Sequence, residues 1–420
     1  MKYLHLLLLC LIFTFDCLSA EVVEKEGSGY LEKDQEQLII HLKGSPYELG
    51  FQHGKLLKNK IADVVDRFID TPPKNEFGRD RLKEFKLALP MIIPHIPERF
   101  IQELHGLADG SGIPYDKILL LNLYPEMFHC VGITVSGKAT KNQELYHVRV
   151  LDYGVAKKQL QDAAVLMIVE PQEGYPFLNV SYAGFIGVVT GMNNQKISLG
   201  EIGGLGYGNW NGIPMSFLLR DILEKSSSIQ DANGIFTNSP RTCEYYYVVA
   251  DGKTNQSKGY YVTASQIHAI EPGISYALMA PRDLPSNYGH DGRNDKFFMS
   301  PYLMEQSEYQ TAIYQDGIKK DALVALFHRQ PVDCIVLTGF ANPKRYPILV
   351  DRLLQKYGNI SIEDLQNVIK TPVTCETNLH NAIFYPEKLQ VWISHPGPNG
   401  EAASDQVYRS FSLPELLKPK

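Results

Sequence analysis

Hydrophobic and polar positions change their period at residue 130. Before it, apolar residues recur every three to four positions; after it, short runs alternate or stay apolar for six to eight residues. Ser45-Pro46-Tyr47-Glu48 opens the helical part. Ser45 suits a cap, Pro46 the first helical position, and Glu48 completes a capping box. Leu49, His53, Leu56 or Leu57, Ile61, Val64 and Phe68 then fall at helical spacing, which predicts a helix to about residue 69. Further helices are expected around 79–87, 95–109 and 114–127. Strand-like runs follow at 131–136, 144–151, 164–169, 177–183, 186–191, 196–200, 244–250 and 258–263. One helix, 214–225, interrupts them, and a helical region covers 345–370, where Ser361 suits a cap. A hairpin, 379–385 and 388–394, is turned by Pro386-Glu387-Lys388. Residues 21–36 are charged and contain Gly and Ser, so they are expected to fray. Strands grouped apart from helices predict an α+β protein, not alternating βαβ.

The first 20 residues stand outside this pattern. Lys2, the apolar run 4–15 and Leu18-Ser19-Ala20 predict a signal peptide over 1–20, hence a secreted or lysosomal destination. That run is shorter than the roughly 20 apolar residues of a membrane span. No later run qualifies, so no integral membrane span is expected. Asn179, Asn255 and Asn359 begin glycosylation triplets, and Asn179 lies in an apolar run where access is poorest. Cys10 and Cys17 leave with the signal, while Cys130, Cys243, Cys334 and Cys375 remain. Their pairing cannot be read from the sequence.

The chain of 420 residues is long enough for a sizeable core. A net charge of −6 and no basic tract argue against nucleic acid as a partner. The 12 histidines form no His-Glu-x-x-His and there is no Cys-x-x-Cys, so neither a metal nor a cofactor is expected. Gly203-Gly204-Leu205-Gly206-Tyr207-Gly208 lacks dinucleotide spacing.

The chemistry concentrates at Cys130. It opens one strand-like run, and Arg149-x-x-Asp152 closes the next. Paired as a hairpin, the two runs return the guanidinium and the carboxylate to the cysteine's end. A thiol attacks well only as thiolate, so something near it must take its proton. If the chain is cut before Cys130, the freed α-amine, with a pKa of roughly 8, can do so. Residues 21–129 contain no cysteine, so a cleaved N-terminal piece would stay associated by packing alone.

Cys130, the Gly137-Lys138-Ala139-Thr140-Lys141-Asn142 turn and Arg149-x-x-Asp152 resemble the active-site hairpin of N-terminal-nucleophile amide hydrolases. The run Gly44-Ser45-Pro46-Tyr47-Glu48-Leu49-Gly50-Phe51-Gln52-His53-Gly54 and Gly137-x-Ala139-Thr140 are similar to the isopenicillin-N acyltransferase group. Ile118-Leu119-Leu120-Leu121-Asn122, Glu126-Met127-Phe128 and Gly184-Phe185-Ile186-Gly187-Val188-Val189-Thr190-Gly191 are similar to acid ceramidase and N-acylethanolamine amidase. The likeness runs with gaps from about residue 40 onward and is weakest between residues 225 and 370.

This resemblance implies a four-layer αββα sandwich, cut into a helical chain of residues 21–129 and a catalytic chain of residues 130–420. It implies Cys130 as nucleophile, Asp152 as the group that orients the freed amine, and Arg149 beside the nucleophile or the substrate carbonyl. Glu201, in Ser198-Leu199-Gly200-Glu201, matches the acidic residue that follows the Gly184–Gly191 block in the ceramidase branch. Asn287, in Ser286-Asn287-Tyr288, matches an oxyanion donor, and Arg293 stands near the place of a second arginine. Two positions depart from the pattern: His129 precedes the nucleophile, and Glu244-Tyr245-Tyr246-Tyr247 stands where the acyltransferases carry asparagine. The implied reaction hydrolyses an N-acyl amine through a Cys130 thioester, most simply a lipid amide of the ceramide or N-acylethanolamine kind. Acyl transfer of the isopenicillin-N type is the alternative with the same intermediate. A non-catalytic secreted binding protein is the alternative of another class. Phe185-Ile186-Gly187-Val188-Val189 and the helix with Met215, Phe217 and Leu218 could line an acyl cleft or belong to the core.

Overall fold

The structure is a computed structural model that describes residues 20–72, 81–127, 129–152, 160–203, 209–274, 330–338 and 345–420. Most of the expected signal peptide, together with Asn287 and Arg293, lies outside them. Among the described residues the strands form two sheets. The larger runs, in spatial order, β1 (Glu21–Glu26), β2 (Gly29–Asp34), β3 (Gln37–Gly44), β6 (Ala164–Pro171), β7 (Phe177–Tyr182), β8 (Thr190–Asn193), β9 (Ile197–Gly203), β10 (Glu244–Asp251), β11 (Gln256–Thr263) and β12 (Ile267–Ile270). The smaller runs β13 (Cys334–Thr338), β4 (His129–Gly137), β5 (Gln143–Asp152), β14 (Asn378–Tyr385), β15 (Gln390–Ser394) and β16 (Arg409–Ser412).

The sheets pack face to face. A methyl group on Gly132 of β4 would lie 2.6 Å from Ile202 and 2.9 Å from Val248 of the other sheet, so only glycine allows that approach. Ile39, Leu166, Leu178 and Val180 meet Ala382, Phe384 and Ile393 elsewhere in the same seam. Helices α8 (Arg345–Gln355) and α9 (Ile362–Val368) cover the outer face of the smaller sheet, with Leu349, Leu353, Leu365 and Val368 on Val131, Ile133 and Val148. The larger sheet is covered by α1 (Pro46–Leu56), α2 (Lys58–Val65), α3 (Arg81–Ile92), α4 (Glu98–Ser111), α5 (Tyr115–Leu123), α6 (Met215–Lys225) and α7 (Ile229–Asn238). The order helices, sheet, sheet, helices is the αββα sandwich of an α+β protein. Burial on both faces explains why β10 reads as one continuous apolar run.

The predicted capping box of Ser45 with Glu48 forms, and the predicted Ser361 cap forms as a box with Asp364. Two local expectations fail. Residues 21–36 do not fray but form β1 and β2, and β3 then pairs in parallel with β6. The polar positions there are matched internally: His41 Nε2 lies 2.6 Å from the buried Glu32 carboxylate. Residues 186–189 are not a strand: the backbone groups of 186–188 are bonded to side chains and to α6, and only Val189 O reaches a strand, accepting from the Glu201 N–H of β9. Phe185, Ile186, Val188, Met215, Phe217 and Leu218 are all buried in the main core. Helix α7 was not predicted by periodicity; the Ser228 side chain caps it by accepting from Asp231 N–H. No described helix is long and apolar enough to cross a membrane.

Candidate active site

Register sets the geometry of the site. β4 and β5 pair antiparallel with Cys130 opposite Leu151, Gly132 opposite Arg149 and His129 opposite Asp152. The Arg149 side chain crosses into the space between the sheets and passes over Gly200 of β9. A methyl group on Gly200 would sit 2.7 Å from Arg149 Cδ. Arg149 Nη2 donates to Glu201 Oε2 at 3.0 Å, Nε donates to Val189 O at 3.3 Å, and Nη1 donates to Val150 O. The Cys130 thiol lies 3.7 Å from the same Glu201 oxygen. Cys130, Arg149 and Glu201 are thus brought together with no exposed side-chain surface on the ion pair. Burial pushes the Cys130 thiol well above its usual range; Arg149 pulls it down, while Glu201 and Asp152 push it further up.

Asp152 occupies the same strand end but faces another partner. Its Oδ2 is ion-paired with Arg345, and its Oδ1 accepts from the Cys375 N–H at 3.3 Å. Arg345 is fully buried and also donates from Nε to Val373 O. Nothing in the sequence reading singled out Arg345, which lies 193 residues from Asp152. One signal was available: an arginine opening a helix sits at the end whose dipole disfavours a cation, so it needs a compensating anion. Asn287 and Arg293 lie outside the described residues, and the arginine seen beside Asp152 is Arg345.

A further polar bridge spans the seam nearby. His380 on β14 meets the Tyr182 hydroxyl at 3.0 Å through Nδ1 and the Thr190 hydroxyl at 2.9 Å through Nε2. Burial lowers the His380 pKa well below its usual value, with Arg149 adding to the effect, so the ring stays neutral between its two hydroxyls.

Comparison with known proteins gives the same direction. Residues 139–272 match the family described as acyl-coenzyme A:6-aminopenicillanic acid acyl-transferase. Protein dcd1B of Dictyostelium discoideum is 32% identical over 276 residues, 58% of this chain and 54% of that protein. Acid ceramidase of Rattus norvegicus is 26% identical over 243 residues, 52% of this chain and 58% of that protein. The chain therefore spans little more than half the length of these relatives. Among solved structures, the N-acylethanolamine-hydrolyzing acid amidase ortholog of Caenorhabditis elegans superposes with a TM-score of 0.39 at 15% identity, covering 67% of this chain and 99% of that one. Over part of its length the chain is thus similar in sequence to acid ceramidase and to the acyl-transferase family.

Proposed function

We propose that the protein is a self-processing cysteine amidase acting on N-acylated amines, most simply lipid amides. The observation that carries this reading is the meeting of Cys130, Arg149 and Glu201 at the head of β4, with Asp152 across from His129. In the first step the Cys130 thiol attacks the His129 carbonyl carbon, the His129–Cys130 peptide bond breaks, and water hydrolyses the resulting thioester. This frees the α-amine of Cys130 in residues 130–420. In turnover that amine takes the thiol proton and passes it to the leaving nitrogen. The substrate acyl group is held as a thioester on Sγ until water releases the acid. Asp152 orients the amine, while Arg149 neutralises charge at the thiol and the carbonyl oxygen. Asn287 and Arg293 are proposed as further polar groups at the carbonyl. The relative named acid ceramidase supports the lipid-amide class. The match to an acyl-transferase family supports the second reading, in which an amine replaces water at the thioester.

Passage through the secretory route, to the outside or to a lysosome-like compartment, belongs to the same proposal. Asn255 and Asn359 are exposed as glycan acceptors, whereas Asn179 is buried and donates to Gly187 O.

N-terminal sequencing tests the first step. The wild type should give a chain beginning at Cys130, and Cys130→Ala should stay whole. Full activity from an uncut chain would defeat the mechanism. Release of amine from fluorogenic amides should rise with acyl length, since each buried methylene contributes about 0.8 kcal/mol. A flat profile would defeat the lipid-amide class.

A further inference from the structure

Resting on the amidase reading, we propose that His53 and Asn122, which precede Cys130 in the chain, are positioning residues of the active site. They act by gripping the backbone of residues 184–189, whose end holds Arg149 and Glu201. The grip is continuous. The Gly184 N–H donates to His53 Nε2 at 3.0 Å. Asn122 Nδ2 donates to Gly184 O at 2.9 Å, and its Oδ1 accepts from the Ile186 N–H at 2.8 Å. Ile186 O accepts from Arg220 Nη1 at 2.8 Å, and Arg220 is itself held bidentate by Glu103 of α4 at 2.8 and 2.6 Å. At the far end, Val189 O accepts from Arg149 Nε and, at 3.1 Å, from the Glu201 N–H. One carbonyl thus fixes both partners of the Cys130 thiol, and its position is set from helices α1, α4 and α5.

His53 is an uneconomical core residue unless that acceptor is needed. It is fully buried, and its Nδ1 meets no partner among the described residues. A leucine there would remove the unmet Nδ1 but leave the buried Gly184 N–H without its acceptor. Burial, with Arg220 nearby, pushes the ring's pKa down to about 3. It therefore remains a neutral acceptor for Gly184 across the range in which an amidase is assayed. The charged and titratable groups that face Cys130 are Arg149, Glu201, Asp152 and Tyr182. Of these, Arg149 is the one that favours the thiolate.

The test is the pH profile of Cys130 alkylation by iodoacetamide in the full-length protein, read by mass spectrometry at that residue, with kcat and KM on a fluorogenic N-acyl amide alongside. His53→Leu and Asn122→Ala should move the profile up by about one pH unit, slowing alkylation at pH 7 about tenfold and lowering kcat more than KM rises. His53→Gln, whose amide oxygen can take the Gly184 N–H, should recover most of the loss. Leu57→Ala opens a cavity in the same helical layer without removing a hydrogen bond from the loop, and it should keep the wild-type profile. An unchanged profile in a folded His53→Leu protein, or an equal shift in Leu57→Ala, would overturn the proposal. If the wild type releases no amine while the alkylation profiles still separate as stated, the amidase reading fails and the positioning role stands.

Discussion

Glu201 faces the Cys130 thiol and the Arg149 guanidinium with one oxygen, and neither contact reaches water. Breaking such a pair leaves an uncompensated buried charge, which typically costs about 3–5 kcal/mol. Urea melts of Arg149→Ala and Glu201→Ala should each show a loss of that order, and the double variant should lose clearly less than the sum. An additive result would mean that the two side chains do not act as a pair. Because these deletions cost stability, they are poor probes of chemistry. Gly200→Ala is a cleaner one: its methyl group displaces Arg149 Cδ without removing the charge. It should cut amide turnover about tenfold or more, if the guanidinium stabilises charge as an oxyanion-hole donor does. Turnover at the wild-type level would remove Arg149 from the chemistry. The buried histidines add a pH dependence. His53 and His147 have folded pKa values pushed down from 6.5 to about 3 by burial, with Arg220 and Arg149 respectively contributing. Below 6.5 the unfolded chain takes up protons that the folded one refuses. Their stabilising contribution is therefore complete above 6.5 and is lost as pH falls toward 3. Each should cost about 1.4 kcal/mol per pH unit inside that window. Urea midpoints measured between pH 7 and pH 5 should fall accordingly; a rise would reverse the assignment of neutral rings.

At the scale of elements, α1 and α4 approach backbone to backbone. A methyl group on Gly50 would lie 1.9 Å from Glu103 O, and one on Gly106 would lie 2.1 Å from Tyr47 O. These atoms belong to main chain and cannot rotate away. Gly50→Ala and Gly106→Ala should therefore part the two helices, at a cost of about 3 kcal/mol or more, beyond the helix-propensity gain of about 1 kcal/mol. A thermal scan in which either variant melts at or above the wild type would contradict the close approach. The capping boxes and the β4–β5 hairpin were legible because their partners lie within a few residues. The stretch 186–189 was not. Its apolar side chains suit a strand, yet the backbone hydrogen bonds of residues 186–188 go to Asn122, Arg220, Asn179 and Ser216, and only the folded chain brings these to it.

For the whole molecule, the segment before Cys130 is woven into the sandwich. β3 pairs with β6 along the run Ile39↔Leu166 to Gly44↔Pro171, and Glu103 holds Arg220 in a buried bidentate pair. If the chain is cut before Cys130, the two parts should therefore elute as one species in native gel filtration and separate only in denaturant. Glu103→Ala should lower the urea concentration at which they part. Spontaneous separation in native buffer would show that packing alone does not hold them.

The sequence by itself determined the change of period at residue 130, the capped helices, the strands after Cys130, the hairpin that returns Arg149 and Asp152 to its end, and the likeness to the amide hydrolases. Each of these is written in neighbouring residues or in a motif. Tertiary structure alone decided that residues 21–34 are strand, that Phe185 and Phe217 are core, that one Glu201 oxygen serves both Cys130 and Arg149, and that Asp152 belongs with Arg345. The physical reason is common to all four. A charged side chain or an amphipathic run specifies that it needs a partner, whereas the partner's identity depends on which distant segment the fold places against it.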